Sequence, residues 1–514
     1  MTTDAIPGAK PSPDDHPAFN TSHLDSGIGR RSARGAVVTL FGRFGKFGIQ
    51  LGGMAILSRL LTPGDFGLVN MASVVTGFMT MFGDMGLSAA VIQKAEIRHN
   101  QMSTLFWLNA ALGLALALVS AGAAPFVAGF YHDPRLLAIT IAAGTGFIIS
   151  GLGIQHQALM KRQMRFPTLA AVDLCGGLAG ALAGIGCAFA GLGYWSLVVM
   201  QLAVSATVAA GSWICCKWRP GLPARRTGIE SIVAFGGNLT IFNSLNYLVR
   251  NMDNVLVGRR WGAAELGFYS RAYQLMLMPL SQIVGPVGTV AIPALSRLQN
   301  DPLHFRDYYL KGLRVIAYAS MPMLVVMAVL SDDIIELLLG PRWHPASRIF
   351  RILAMAAVFQ PVVSSSGWIM TALNRGKTMA IWGVVTTPVM IGAFFLGLPW
   401  GAFGVACGYT LADWSLSWPA LFVAMRQSPV NLMDIGRVVY RPFILSLLLG
   451  AGVFSLGYFG NIHTPILVVA LAPVVCIAIL LAARFAWPGL RTDLDMLLST
   501  ARVLTGKQGV PSAA

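Results

Sequence analysis

A chain of 514 residues in which 55% are hydrophobic and only 11% are charged has too much apolar surface for a water-soluble fold of that length. The composition excludes a soluble globular protein, and the mean hydropathy of +0.66 indicates a membrane protein. The net charge of +16 does not indicate a nucleic-acid-binding surface, because the basic residues lie in short segments between apolar runs, as in cytoplasmic loops.

The chain begins with a polar segment, residues 1–34, which contains prolines and ends in a cluster of arginines. This segment lacks the apolar core that a cleavable signal peptide needs. We therefore expect a flexible cytoplasmic tail.

The rest of the chain divides into apolar runs that are long enough to cross a bilayer, which takes about 20 residues per helix. We predict an all-α integral membrane protein with about 14 transmembrane helices, since that number of runs fits the length. The predicted organisation is an N-lobe of six spans at 35–216, a basic cytoplasmic linker at 217–228, a C-lobe of six spans at 229–427, two additional spans at 428–487, and a cytoplasmic tail at 488–514.

The basic residues predict the orientation of these spans. If the N-terminus is cytoplasmic, most of the 37 lysines and arginines lie in the tails and in the connections on the same side of the membrane. Cytoplasmic loops carry such an excess of basic residues. Both termini are therefore predicted to be cytoplasmic.

A charged turn recurs between the apolar runs. Asp65-Phe66-Gly67 aligns with Glu265-Leu266-Gly267 at a separation of about 200 residues, which is long enough for a duplicated six-span lobe. Because an even number of spans separates the copies, the two repeats have the same orientation. We therefore predict two parallel six-helix lobes, the alternative being a chance similarity between apolar segments.

The fifth predicted span carries a ridge of small residues, Gly176, Gly180 and Gly184. Glycines four residues apart lie on one helix face and allow two helix backbones to approach closely. We interpret this ridge as a packing feature.

Three charged residues of the first two spans require an explanation. Arg43 and Lys46 share one face of the first span, and Asp84 lies at a similar depth in the second. One interpretation is a clamp of neutralising charges. Another is a binding site for a diphosphate, because two cations against one anion leave a positive surplus that phosphate oxygens would match. The third is that the long basic side chains extend to the membrane interface.

Polar residues of the second lobe have similar alternatives. Arg250 and Asp253 either neutralise one another or supply a phosphate contact, and Arg271 is either a second phosphate contact or an interfacial arginine. Asn243 and Asn246 are candidates for contacts with sugar hydroxyls, the alternative being hydrogen bonds between helices.

Two carboxylates, Asp84 and Asp413, are candidates for proton or sodium coupling, because a desolvated carboxylate can take up a cation. The alternative is a hydrogen bond to a neighbouring helix. We expect no cofactor and no metal centre.

The segments SRLLTPGDFGLVNMA, FGDMGLSAAVIQ and DNVLVGRRWGAAELGFYSRAYQLMLMP resemble the Wzx-type polysaccharide exporters of the multidrug/oligosaccharidyl-lipid/polysaccharide superfamily, in particular the branch that includes colanic-acid exporters. The resemblance implies two lobes around a central cavity and a flippase rather than an enzyme. The implied substrate is a polyprenyl-diphosphate-linked oligosaccharide, which alternating access would move to the outer leaflet of the bacterial cytoplasmic membrane. Association with polysaccharide polymerase and chain-length proteins is also implied.

Three rival functions stay open at this stage. A membrane glycan polymerase or ligase is disfavoured, because such enzymes typically carry a large extracytoplasmic loop and the outer connections here are short. A small-molecule antiporter of the same superfamily is expected to end after twelve spans. A flippase for a peptidoglycan lipid precursor is not distinguished by the sequence.

Overall fold

The computed structural model of the protein describes residues 28–84, 87–93, 97–224, 247–248, 250–459 and 464–504. These residues form helices joined by short connections, and none of them lies in a β-strand. The predicted all-α class is confirmed. The chain divides into two compact units, Met1–Gly267 and Phe268–Ala514, which are described separately below.

The helices of the first unit follow one another with short breaks. They are α1 (Ile28–Leu60), α2 (Pro63–Thr80), α3 (Leu87–Gln93), α4 (His99–Tyr131), α5 (Arg135–Arg162), α6 (Phe166–Phe189) and α7 (Trp195–Cys216). The next helix, α8 (Met252–Arg297), begins in the first unit and ends in the second.

The second unit contains long helices interrupted by shorter ones. They are α9 (Pro302–Val329), α10 (Ser331–Leu339), α11 (His344–Ala357), α12 (Gln360–Ala372), α13 (Gly376–Gly397), α14 (Gly401–Met425), α15 (Leu432–Phe459), α16 (Pro465–Ala486) and α17 (Pro488–Leu504). The 3-10 turns Pro341–Trp343 and Leu398–Trp400 precede α11 and α14.

Within the described residues, 9 helical segments are long and apolar enough to cross a membrane, or up to 10 if a pair bent by 42° forms one broken span. That pair joins Pro341–Ala357 to Gln360–Ala372. Many apolar helices of this length make the protein a multi-pass membrane protein. The total of 14 spans stays a prediction.

One break differs from the prediction and another agrees with it. The apolar run at about 66–94, which is long enough for one predicted span, is interrupted, because α2 ends at Thr80 and a turn occupies residues 81–84 before α3 begins. The charged turn at Glu265, predicted to lie between two apolar runs, follows a kink inside α8 at Gly262, which is non-helical with φ 83°. Glycine tolerates this positive φ, and α8 therefore consists of two helical segments joined at Gly262.

The repeated charged turn lies at equivalent points of the two copies. In the first copy, the Thr62 side chain accepts a hydrogen bond from the Asp65 backbone, and the Asp65 carboxylate accepts one from the Thr62 backbone at 2.9 Å. This capping box starts α2. In the second copy, Glu265 follows the kink at Gly262 by the same number of residues. The acidic residue of the motif thus marks where a helix starts again.

The glycines of this motif allow a close backbone contact within the first unit. A side chain at Gly67 would overlap the carbonyl of Ala263, and one at Gly267 would overlap the carbonyl of Pro63. The contact is reciprocal, because the glycine of each motif lies against the residue that stands two positions before the acidic residue of the other motif. Only glycine fits either position, which explains why both copies carry it.

The predicted glycine ridge packs α6 against α7. Gly176, Gly180 and Gly184 are buried, and a Cβ at Gly184 would come within 2.9 Å of Met200. A Cβ at Gly176 would similarly meet Val208 of α7. The interpretation of the ridge as a packing feature is confirmed.

An arginine caps an equivalent helix end in each unit. Arg165, between α5 and α6, donates to the Cys215 carbonyl at 3.1 Å, and Arg375, between α12 and α13, donates to the Ala424 carbonyl at 2.9 Å. Each arginine follows a residue with φ 54°. The number of residues between Arg165 and Arg375 is close to the number between the two charged turns. The two arginines therefore provide a second structural match between the two halves of the chain.

Residues 488–504, which the sequence analysis assigned to the C-terminal tail, form the helix α17. Asp493 of α17 is buried and bonded to two helices of the second unit: it accepts from Tyr318 of α9 at 2.9 Å and from Arg441 of α15 at 3.0 Å. Arg314 of α9 lies 3.4 Å away and completes the cluster. These bonds fix α17 to the membrane-spanning helices.

Candidate functional site

A polar cavity of about 450 Å³ lies within the first unit, between α2, α4, α5 and α7. Glycines and small polar side chains form much of its wall, and they leave space between long helices. The lining residues are Ser73, Thr76, Gly77, Thr80, Gly83, Asp84, Gly113, Leu116, Ala143, Gly146, Phe147, Ser150, Gly151, Ile154, Gln201, Leu202 and Ser205. Its size is in the range of small-ligand sites.

Asp84 is the charged residue of this wall. It lies in the turn that follows α2, and its carboxylate accepts hydrogen bonds from the Ser88 backbone at 3.1 Å and from the Ser88 hydroxyl at 2.8 Å. The break between α2 and α3 therefore places a carboxylate, held by Ser88, at the wall of the cavity.

A second polar cluster lies in the second unit. The Gln360 amide of α12 donates to the Tyr409 hydroxyl of α14 at 3.1 Å, and the Tyr409 ring packs edge-on against Tyr273 of α8 at 6.0 Å. Asp413 lies one turn beyond Tyr409 on α14 and shares its face. One oxygen of Asp413 and the oxygen of Gln360 are buried without a hydrogen-bond partner in the described structure.

Buried oxygens without donors are costly inside a protein, by about 1–3 kcal/mol each. Two of them on neighbouring helices, one from a carboxylate, make this cluster suited to taking up a proton or a small cation. Arg271 lies on α8 two residues before Tyr273, is half-buried and donates to Gln274. Because residues two apart on a helix point in different directions, Arg271 does not share the face of Tyr273, and its role as a phosphate contact stays a prediction.

An apolar cavity of about 370 Å³ lies beside this cluster, between α12, α14 and α15. Aromatic side chains form part of its wall, including Phe359, Trp414, Trp418, Tyr440 and Phe443. Such a wall offers only dispersion contacts and hydrophobic burial, so it suits a hydrocarbon rather than a sugar.

The charged pair predicted in the first span is described only in part. Arg43 lies on α1, but its side chain is outside the described residues. Lys46 of α1 is exposed, and it forms no ion pair with Asp84, whose carboxylate is bonded to Ser88 instead. The clamp and the diphosphate site both stay predictions for this pair.

The structure describes only part of the predicted seventh span. Asn243 and Asn246 lie outside the described residues. Arg250 is exposed and precedes α8. These three residues stay sequence predictions.

The sequence analysis did not identify the hydroxyl and amide groups of the two sites. Ser73, Thr76 and Thr80 line the first cavity, and Gln360 belongs to the second cluster. Serine and threonine in an apolar run do not by themselves indicate a binding site, because their hydroxyl groups bond readily to the backbone of their own helix. The spacing of Ser73, Thr76 and Thr80 along one helix face was the available signal.

Comparisons with known proteins agree with the motifs. Residues 56–348, more than half of the chain, match the family described as polysaccharide biosynthesis protein. The lipopolysaccharide biosynthesis protein WzxC of Escherichia coli (strain K12) is 25% identical over 407 residues, which cover 78% of this chain and 80% of WzxC. The teichuronic acid biosynthesis protein TuaB of Bacillus subtilis (strain 168) is 27% identical over 339 residues, which cover 65% of this chain and 70% of TuaB.

Among solved structures, the lipid II flippase MurJ in an inward closed conformation has a similar fold. The TM-score is 0.66 at 13% identity, and the match covers 88% of this chain and 98% of that chain. At this identity the likeness concerns the fold alone. The family match and the relatives confirm the resemblance given by the sequence motifs, and the protein belongs to the polysaccharide biosynthesis protein family.

Proposed function

We propose that this protein is a flippase that moves polyprenyl-diphosphate-linked oligosaccharide repeat units across the membrane by alternating access, for the biosynthesis of a surface polysaccharide. The observation that carries this proposal is the family match over residues 56–348. The names of WzxC and TuaB refer to biosynthesis of lipopolysaccharide and of teichuronic acid, and the fold resembles that of a lipid II flippase.

Each unit contains a cavity that is compatible by itself with one part of such a substrate. The cavity of the first unit is polar, as a glycan requires, and the cavity of the second unit is apolar, as a polyprenyl chain requires. Arg43 and Lys46 are the proposed contacts of the diphosphate. The exposure of Lys46 supports this role, because its ammonium group is not consumed by Asp84.

Proton or sodium coupling is proposed at Asp413, with Asp84 as the second candidate. The buried Asp413 oxygen without a hydrogen-bond donor supports this order, because the Asp84 carboxylate already has two donors from Ser88. Replacing Asp413 by Asn removes the charge and preserves the shape. We expect the Asp413→Asn variant to lose the response of transport to a pH or sodium gradient.

The exposed Asp173→Asn variant is a control, since Asp173 of α6 lies outside both sites. Transport rates in proteoliposomes, measured across a pH and a sodium series, test the coupling. An Asp413→Asn variant with the parental response would overturn this assignment.

We further propose that the protein lies in the bacterial cytoplasmic membrane with both termini in the cytoplasm, and that it works with polysaccharide polymerase and chain-length proteins. The distribution of basic residues supports the orientation. The proposed flippase role supports an association with these proteins, because the translocated repeat unit is the substrate of polymerisation.

Deletion of the gene in its own host distinguishes the proposed function from its alternatives. We expect viable cells that lose a surface polysaccharide and accumulate the polyprenyl-linked repeat unit. Lysis with accumulation of a peptidoglycan lipid precursor would favour the precursor flippase, and sensitivity to small organic cations would favour an antiporter. Loss of polymer length without accumulation of the repeat unit would favour a polymerase.

A further inference from the structure

Two amide side chains of the first unit are buried without hydrogen-bond partners. Asn109 of α4 and Gln155 of α5 are both 0% exposed, and the oxygen and the nitrogen of each amide lack a partner in the described part of the chain. Most buried polar atoms of proteins bond either to protein or to an ordered water molecule. The proposed substrate and ion sites use neither residue, so both amides still require an explanation.

The packing of α4 against α5 brings the two amides to one level of the first unit. A Cβ at Gly151 would come within 2.7 Å of the Asn109 carbonyl oxygen, and Gln155 follows Gly151 by one turn. The Phe106 and His156 rings lie 5.9 Å apart, so the two helices meet again one turn further on. The helices are antiparallel, because a short connection joins them, and helical side chains tilt toward the N-terminus of their own helix. The Asn109 and Gln155 side chains therefore tilt toward each other.

The two amides lie between the polar cavity and a layer of aromatic rings. On one side, Gly113 and Gly151, each one turn from one of the amides, line the cavity. On the other side, the Phe106 ring packs against the rings of Trp213 and Trp218 at 5.8 and 6.3 Å. A polar space thus approaches the amides from one direction, and apolar rings cover them from the other.

A ligand at this level must be small and uncharged. Neither amide carries a charge, so a metal ion would keep its full charge in a buried place, which is strongly unfavourable. A water molecule both donates and accepts hydrogen bonds, and buried waters typically bond to about two to four polar groups. The oxygens and nitrogens of the two amides provide both kinds of partner.

We infer that Asn109 and Gln155 form a buried water-binding site, which extends the polar cavity by one helical turn toward the aromatic layer. Such a site does not depend on which substrate the protein moves.

Hydroxyl-radical labelling by short X-ray pulses, followed by peptide mass spectrometry, tests this site in the purified full-length protein. Radicals from bulk solvent do not reach buried side chains, whereas radicals formed from a bound water molecule react in place. Phe106 is 2% exposed and lies beside the amides, and Tyr309 of α9 is 1% exposed with its hydroxyl bonded to Ser365 at 2.8 Å. We expect Phe106 to be labelled severalfold faster than Tyr309, although a phenol ring is intrinsically more reactive. Equal or slower labelling of Phe106 would overturn the inference.

The Gln155→Met variant assigns the labelling to the amide. Methionine has a similar length and lacks the amide, so labelling of Phe106 should decrease to about the rate of Tyr309. Gln157→Met is the matched control, because Gln157 is half-buried on the same helix and points in another direction. The control should label Phe106 as the parent does. Unchanged labelling in Gln155→Met, or the same decrease in both variants, would refute the assignment.

Melting temperatures in detergent distinguish a hydrated pair from two amides that are simply unbonded. If water is bound, Gln155→Met or Asn109→Leu alone leaves the other amide with fewer partners, and each single variant should melt at a lower temperature than the parent. The double variant should recover part of this loss, because an apolar pair needs no water. If the site is dry, each single variant removes an unsatisfied group and should melt at a higher temperature. A higher melting temperature of either single variant, or a double variant that loses the sum of both effects, would contradict a bound water.

Discussion

At the scale of single residues, the polar groups of α2 and of Asp413 differ in how they are satisfied. Ser73, Thr76 and Thr80 donate their hydroxyl hydrogens to carbonyls of their own helix. Asp413 instead has an oxygen without a hydrogen-bond partner in the described structure. A buried oxygen without a donor is unfavourable, which is the reason for proposing ion coupling at Asp413.

Lys46 provides a direct test of diphosphate binding. Because Lys46 is exposed and forms no ion pair with Asp84, the Lys46→Gln variant should keep the parental melting temperature. It should nevertheless lose most of its flipping of a lipid-linked sugar, since the ligand charge is no longer matched. Lys377→Gln, at another exposed position, is the control. A variant that flips at the parental rate would exclude Lys46 from the site.

Asp493 tests the attachment of α17. Its side chain is only 6% exposed and contacts Arg314, Arg441 and Tyr318, so removing its charge leaves two half-buried cations without their partner. We expect Asp493→Asn to lower the free energy of unfolding by about 3 kcal/mol. In contrast, Asp495→Asn should cost at most about 1 kcal/mol, because Asp495 is 48% exposed in its pair with Arg484. Similar melting temperatures for the two variants would contradict this account.

At the scale of elements, hydropathy predicted the long helices but not their interruptions. The turn at residues 81–84 lies inside an apolar run, so the average over the run conceals it, although Gly83 and Asp84 are poor helix formers. The interruption at Gly262, in contrast, was indicated by the charged, glycine-containing stretch of the repeated motif, because two helical segments of α8 meet there.

The helix-capping arginines were also beyond sequence reasoning. Arg165 and Arg375 look like ordinary members of basic cytoplasmic loops, and only the structure shows their bonds to the ends of α7 and α14. The glycine ridge of α6, in contrast, was predicted, because a repeated four-residue spacing identifies one helix face. Periodic features are therefore readable from the sequence, and long-range hydrogen bonds are not.

The glycine ridge gives a prediction for the contact of α6 with α7. A methyl group at Gly180 would overlap Val204 and approach the Met200 carbonyl oxygen at 2.9 Å. Overpacking of this kind costs about 1–3 kcal/mol, so Gly180→Ala should lower the melting temperature in detergent. Gly186→Ala, on the same helix with nothing within 4 Å, should leave it unchanged or raise it slightly. A tolerated Gly180→Ala would show that the two helices do not depend on this contact.

At the scale of the whole molecule, the membrane-embedded character was predictable from composition, and the family was indicated by the resemblance of three sequence segments. The polar site was only partly predictable. Asp84 and Asp413 were identified as candidates because they are charged residues in apolar runs. The uncharged residues of the two sites were identified only from the structure, which shows the cavity at Asp84 and the Gln360–Tyr409 hydrogen bond. Residues from α2, α5 and α7 line this cavity only in the folded protein, and no local sequence pattern predicts that they lie together.

The orientation in the membrane gives a further prediction. With both termini in the cytoplasm, the turn near Gln163 faces the cytoplasm and the turn near Gly64 faces outward. In a variant without native cysteines, a cysteine at Gly64 should react with an impermeant reagent added outside intact cells, and a cysteine at Gln163 should react only after lysis. The opposite pattern would invert the topology.

The central claim is the transfer of a lipid-linked oligosaccharide between leaflets, and it is tested most directly in proteoliposomes that contain only this protein. A polyprenyl-diphosphate disaccharide with a fluorescent label is placed in one leaflet, and its arrival in the other is followed by loss of quenching by an impermeant reductant. The account predicts transfer that depends on the protein, that the Lys46→Gln variant largely abolishes, and that Lys377→Gln retains. Transfer at the rate of protein-free vesicles would contradict the flippase function.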